Sequence, residues 1–253
     1  MAFVVAVLMW AFSSEPNLAR PEIVFGILGG IGWFTAYLLL DMSIRLAGVT
    51  IAQCVGWLGV SVPVAASILF WGEIPNASQC IGMGTMVLAL FLLTPGKTSN
   101  VARKSKWRVP VLLGLFAAEG GVAVAMKAFS ETASESRTSG LLVFMFMVAG
   151  LGSTVTALLQ GRRISAGDIA HGGPLGIVAV LANYTLVVAI GRLDGVVVFP
   201  VFWAGTILLV SISAMILWRE RYSVRAMIGM MVALLTVIFV SMDVPAMIRG
   251  MGL

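Results

Sequence analysis

Trp71-Gly72-Glu73 and Ile81-Gly82-Met83 return later in the chain as Trp218-Arg219-Glu220 and Ile228-Gly229-Met230, both at an offset of 147 residues (Glu73 to Glu220, Ile81 to Ile228). The same register pairs Leu46-Ala47-Gly48-Val49 with Leu193-Asp194-Gly195-Val196, Tyr37 with Tyr184 and Arg45 with Arg192. From Tyr37 to Met83 no gap is needed, a register that chance would not hold across three helices. Apolar runs cover residues 2–13, 22–42, 48–71, 78–95, 109–128, 139–159, 172–192, 195–218 and 223–243. Strands of a membrane barrel are about ten residues long with strict alternation. These runs are mostly twice that length and apolar all round, which predicts an all-α, polytopic transmembrane bundle of about nine helices. Five runs separate each segment from its copy. Five is odd, so the two copies are expected to cross a membrane in opposite directions, as an inverted-topology repeat of 4 + 5 helices with a site near the midplane. The repeats are assigned to 1–98 and 99–253.

The first run is short. Twelve helical residues rise about 18 Å against a hydrocarbon core near 30 Å. It lacks the basic start and the small-residue cleavage site of a signal peptide. It reads as the tail of a spanning helix whose beginning, with the first helix of the first half, lies ahead of Met1. A short interfacial start is the alternative.

Composition agrees with lipid as the solvent. The 253 residues are 60% hydrophobic and 11% charged, with mean hydropathy +1.04, where soluble domains carry about 25% charge. The net charge of +5 resides on Lys and Arg in short connections. That pattern points to membrane topology and anionic headgroups rather than to nucleic acid. On a nine-helix count, the N-terminal side collects eleven of the sixteen basic residues, including Lys97, Arg103, Lys104, Lys106 and Arg108. Positive-inside logic places that link in the cytoplasm and the C-terminus outside. An inner (plasma) membrane of bacterial type is the expected location. Two cysteines, Cys54 and Cys80, and one histidine, His171, predict neither a disulfide framework nor a metal site. No cofactor is expected.

Within the run Val109 to Lys127 stands Glu119, the one full charge set deep in an apolar stretch. A carboxylate at bilayer depth costs on the order of 2.5–3.5 kcal/mol on insertion scales, and it characteristically faces a cavity, a partner or an ion path. Loss of water penalises the ionised form, so a proton and a cationic solute would exclude one another there. Pairing with Lys127, two turns along, is the structural alternative. Gly120 and Gly121 thin the helix for close approach or for a gap beside the carboxylate. Further candidates for substrate or proton binding are Tyr37 and Tyr184, which would face a shared axis, Asn183 beside Tyr184, and Trp33, Trp57 and Trp203 as an aromatic wall. Each of these has simple packing as its alternative. Gln53 and Pro200 align across the repeat, where a proline can break a helix. Gly26 and Gly30 form a small-xxx-small packing step. Glu73 and Glu220 at helix ends are expected to cap or to pair with Arg.

The helix ending Pro63-Val64-Ala65-Ala66-Ser67-Ile68-Leu69-Phe70-Trp71-Gly72-Glu73, followed by Ile81-Gly82-Met83-Gly84, resembles the drug/metabolite transporter superfamily of the type with two EamA-like halves. The second half resembles the small multidrug resistance family, in Ala118-Glu119 followed by Met126-Lys127 and in Arg219-Glu220-Arg221-Tyr222 followed by Ile228-Gly229-Met230-Met231. The resemblance implies that Glu119 binds protons and cationic substrate in competition. It also implies ten helices, one more than are visible here. No H-E-x-x-H, G-x-S-x-G or phosphate loop is present, so an enzyme is not expected. The reading is a secondary-active carrier, a proton-coupled exporter of a small organic solute, with the bilayer and a homo-oligomer or partner subunit as associates. The alternative is a non-transporting or partner-dependent subunit of a transporter complex.

Overall fold

The computed structural model describes residues 2–13, 18–93, 106–161, 166–217 and 224–241. Among them there is no strand. The helices are α1 (Ala2–Ala11), α2 (Arg20–Ala47), α3 (Val49–Leu58), α4 (Ser61–Trp71), α5 (Ala77–Leu93), α6 (Arg108–Thr132), α7 (Thr138–Leu159), α8 (Ala166–Arg192), α9 (Gly195–Leu217) and α10 (Val224–Ser241), with a single 3-10 turn at Glu135–Arg137. The protein is an all-helical bundle. Among the described residues five segments are long and apolar enough to cross a membrane: Arg20–Ala47, Ile51–Trp71, Arg108–Thr132, Glu135–Leu159 and Ala170–Arg192. The repeat is visible in the element boundaries. Shifted by the sequence offset, α2 falls on α8, the α3–α4 pair on α9, and α5 on α10, each within about two residues at either end.

Pro200, which could break its helix or only bend it, leaves α9 continuous. Pro200 is the sixth residue of α9, so its missing N–H removes a bond only in the second turn. The break lies in the other copy, at Gly59-Val60 between α3 and α4. Pro63 explains it: a proline cannot donate to the carbonyl four residues back and its ring crowds that carbonyl. Gly59 O instead accepts from Val62 N at 3.0 Å, and Val60 N donates to Trp57 O at 3.2 Å, both tighter i+3 bonds. The equivalent of Pro63 in α9 is Val210, which carries no such constraint.

The chain forms two compact units. Unit 1 takes Met1–Leu38 and Gly121–Arg192; unit 2 takes Leu39–Gly120 and Leu193–Leu253. The units cut across the repeats, since each draws on both copies, and α2 and α6 contribute to both.

In unit 1, α2 and α7 lie against each other with very little between them. A Cβ on Gly26 would stand 2.5 Å from Phe144 Cβ and 2.9 Å from Leu141 O; one on Gly30 would stand 2.7 Å from Met145 O. The small-xxx-small step is therefore a helix-packing device, as its spacing indicates. Contacts advance together from Gly26 with Phe144 to Phe34 with Gly152, so the two helices run parallel. Trp33 meets Phe146 edge-on at 5.1 Å, and Phe25 meets Phe129 at 6.5 Å. Gly26→Leu is expected to destabilise the protein by about 1–3 kcal/mol, the usual penalty for overpacking. The check is the melting temperature in detergent; an unchanged value would contradict the α2–α7 contact.

In unit 2 the copies meet directly. α5 packs along its equivalent, α10. Gly82 lies under Val240, Thr85 Oγ1 and Thr236 Oγ1 are 3.0 Å apart, and Arg225 Nη2 donates to Phe91 O at 2.6 Å. Residue numbers rise on one helix as they fall on the other, so the two copies run antiparallel, as an inverted repeat requires. The end of α4 meets the start of α9. Glu73 Oε2 accepts from Val196 N at 2.9 Å, and Ser67 touches Gly195. Glu73 is thus a cap, as expected of an acid at a helix end, but the N-terminus it serves belongs to α9 of the other copy. Glu220 lies outside the described residues. Glu73→Ala is expected to cost about 1 kcal/mol, the usual size of a lost N-terminal cap, read as a lower melting temperature.

Candidate functional site

Glu119 sits on α6 at the point where that helix crosses the α3–α4 break, and all the parts belong to unit 2. A Cβ on Gly59 would meet Glu119 Cβ at 3.1 Å and Phe116 O at 3.2 Å. A Cβ on Gly120 would meet Val62 Cβ at 2.4 Å and Gly59 O at 2.9 Å. The two glycines let α6 come against the backbone of the broken segment. Gly121, by contrast, faces open space. Close approach is therefore present at Gly120, while Gly121 is simply exposed.

Beside the carboxylate is a cavity of about 260 Å³, lined by Leu40, Gln53, Gly56, Trp57, Glu119, Phe202, Trp203 and Thr206. α3 supplies Gln53, Gly56 and Trp57, which share one helical face; α9 supplies Phe202, Trp203 and Thr206 in the same way. Glu119 is half-buried. Among the described residues its carboxylate makes no hydrogen bond or ion pair. The indole Nε1 of Trp203 is buried without an acceptor among the described residues. Thr206 Oγ1 donates to Phe202 O at 2.7 Å, which turns its hydroxyl back to its own helix. The cavity thus offers one unpaired acid and aromatic walls, while the Trp203 Nε1 is closed off from it. That combination suits a small solute with a cationic group.

The structure brings together three of the seven residues singled out from sequence: Glu119, Trp57 and Trp203. The other four belong to unit 1. Tyr37 is 65% exposed. Asn183 Nδ2 donates to Ala179 O of its own helix at 2.8 Å, so the mid-helix amide finds its partner locally. Tyr184 is half-buried beside it. Trp33 is engaged with Phe146.

Glu119 is also not the only ionisable group set deep in the protein. Glu22 is wholly buried in the first turn of α2, where it accepts from Ala19 N and lies 3.6 Å from Arg137 Nη1. Lys127 is 3% exposed, 2.6 Å from Glu131, and donates to Ile190 O at 3.4 Å. Lys127 therefore pairs with Glu131 rather than with Glu119. Sequence spacing carried that signal, since Lys127 and Glu131 are one helical turn apart. Leu40, Gly56, Phe202 and Thr206 were not singled out. The i, i+3, i+4 pattern of Gln53, Gly56 and Trp57 would have found one wall of the cavity. Among the described residues no group of acids, histidines or cysteines is placed to hold a metal ion.

No family model and no curated protein matches the sequence. Solved structures do share the fold. One, described as the crystal structure of a protein, has a TM-score of 0.66 and 14% sequence identity, over 95% of this chain and 96% of that one. At that identity the likeness concerns the fold alone.

Proposed function

We propose that the chain is a secondary-active membrane carrier of the drug/metabolite transporter type, exporting a small organic solute in exchange for protons. The observation that carries this reading is the unpaired Glu119 carboxylate in an aromatic cavity beside a helix break. A half-buried acid with no internal partner is free to alternate between proton and cationic solute. The cavity of about 260 Å³ lies just below the roughly 300–1,000 Å³ of small-molecule sites, which favours a small substrate. The antiparallel packing of α5 on α10 supports the two-copy logic of alternating access. The charge bias favours an inner (plasma) membrane with the link Lys97 to Arg108 in the cytoplasm. No chemistry beyond binding and proton exchange is assigned, so the protein is not read as an enzyme.

The test is flux in proteoliposomes containing this chain alone. Vesicles carry an internal pH dye, and a small organic cation such as tetramethylammonium is supplied against a pH gradient. Solute movement coupled to proton counterflow supports the carrier. Its absence with this chain alone, and recovery with a partner subunit, would replace the carrier by the partner-dependent reading.

A further inference from the structure

The cavity beside Glu119 has a second polar end. Gln53 lines it and is half-buried. Among the described residues its carboxamide makes no hydrogen bond, and unlike the Trp203 indole N–H it is not closed off. An amide carries two N–H donors and one carbonyl acceptor. Left unanswered once water is displaced, those groups weaken binding; answered, they select the occupant that answers them.

The order of groups along α3 sets the spacing. Gln53, Gly56 and Trp57 share one face of the helix. Gly59, whose Cβ would stand 3.1 Å from Glu119 Cβ, lies six residues beyond Gln53. At 1.5 Å per residue the amide and the acid belong to levels about 9 Å apart along α3. A single functional group cannot answer both. Between those levels stand the Trp57 ring and Gly56, where nothing lies within 4 Å of a Cβ position. Phe202 on α9 adds a second aromatic surface. The middle of the cavity is therefore apolar and open, which suits a flat ring.

Charge narrows the occupant further. Glu119 is the one charged side chain among the described lining residues. A carboxylate on the solute would meet no Lys or Arg there and would be repelled by Glu119, which disfavours a zwitterion. A second ammonium would find no second acid, which disfavours a diamine. A hydroxyl both donates and accepts, as the Gln53 amide does, and strands no charge.

We infer that the solute is a small monocationic arylalkylamine with a hydroxyl on the far side of its ring, and that Gln53 sets this specificity. The cationic head lies at Glu119, the ring beside Trp57 and Phe202, and the hydroxyl at Gln53. The inference rests on the carrier reading of the Glu119 site and adds a substrate class to it.

The test is equilibrium binding to the full chain in phosphatidylcholine nanodiscs. Labelled tyramine is the probe, and phenethylamine, which lacks only the hydroxyl, is the competitor. Tyramine should bind saturably and about tenfold more tightly than phenethylamine, the size of one net hydrogen bond. Tyrosine, the same ring with an added carboxylate, should compete about tenfold less well than tyramine. Gln53→Met keeps the length of the side chain and removes the amide. It should bring the ratio of the two amines close to one, whereas general damage to the site would weaken both and keep their ratio. Equal binding of the two amines by the wild type, a preference that survives Gln53→Met, or competition by tyrosine as strong as by tyramine would overturn the inference. Amine binding that Glu119→Gln still abolishes would then leave the Glu119 site standing. No binding of either amine would remove both, and binding without flux would remove the carrier alone.

Discussion

Glu119→Gln is expected to abolish pH-driven flux while leaving the protein folded. The amide is close in size to the acid, and it neither takes up nor releases a proton. If a cationic solute pairs with the carboxylate out of water, removing one member of that pair costs about 3–5 kcal/mol, a loss of about a hundredfold or more in affinity. Stability should change little. Among the described residues nothing in the protein pairs with this carboxylate, so neutralising it breaks no internal contact. The measurement combines flux under a pH gradient with melting in detergent. Flux that survives with proton counterflow intact would remove Glu119 from the coupling step. Flux that survives without counterflow would keep the carrier and discard the antiport.

Gly120→Val is expected to be severely destabilising and to destroy the site with it. Its Cβ would lie 2.4 Å from Val62 Cβ and 2.9 Å from Gly59 O, and a backbone oxygen cannot move aside as a flexible side chain does. α6 would have to retreat from the α3–α4 break, at an overpacking cost of about 1–3 kcal/mol or more. Gly121→Ala is the internal control. No atom lies within 4 Å of its Cβ position, and an Ala in a helix gains about 0.5–1 kcal/mol over Gly. The two substitutions, one residue apart, should therefore move the melting temperature in opposite directions. Equal shifts would mean that α6 does not approach the break through Gly120.

Much of the helical layout was legible in the chain because apolar runs of spanning length have few alternatives to a helix in lipid. The offset between Glu73 and Glu220 marks where elements recur, and α5 and α10 begin and end within about one residue of that expectation. The antiparallel sense followed from counting segments. Helix ends were less legible. α2 and α8 reach beyond their apolar runs because Arg20, Glu22 and Asp168 occur in first turns, where polarity does not oppose a helix.

The site was legible in part. Glu119 could be found because its charge is discordant with its neighbours. The aromatic candidates could not be ranked, since Trp33 and Trp57 look alike in sequence, and only the facing helix decides which meets Phe146 and which lines a cavity. Tyr37 and Tyr184 keep their register but do not line the cavity beside Glu119.

Hydropathy and repetition are properties of residues one after another, and from them came the helical class, the nine apolar segments, the opposed copies and the acid set in an apolar run. Packing is a property of residues that meet from distant parts of the chain. It alone determined that Pro63 rather than Pro200 opens a helix, that Lys127 belongs to Glu131, and that Glu22 is hidden. The physical reason is one of range: burial against lipid acts on each residue singly, whereas hydrogen bonds, ion pairs and steric contact act only over a few ångströms between particular partners.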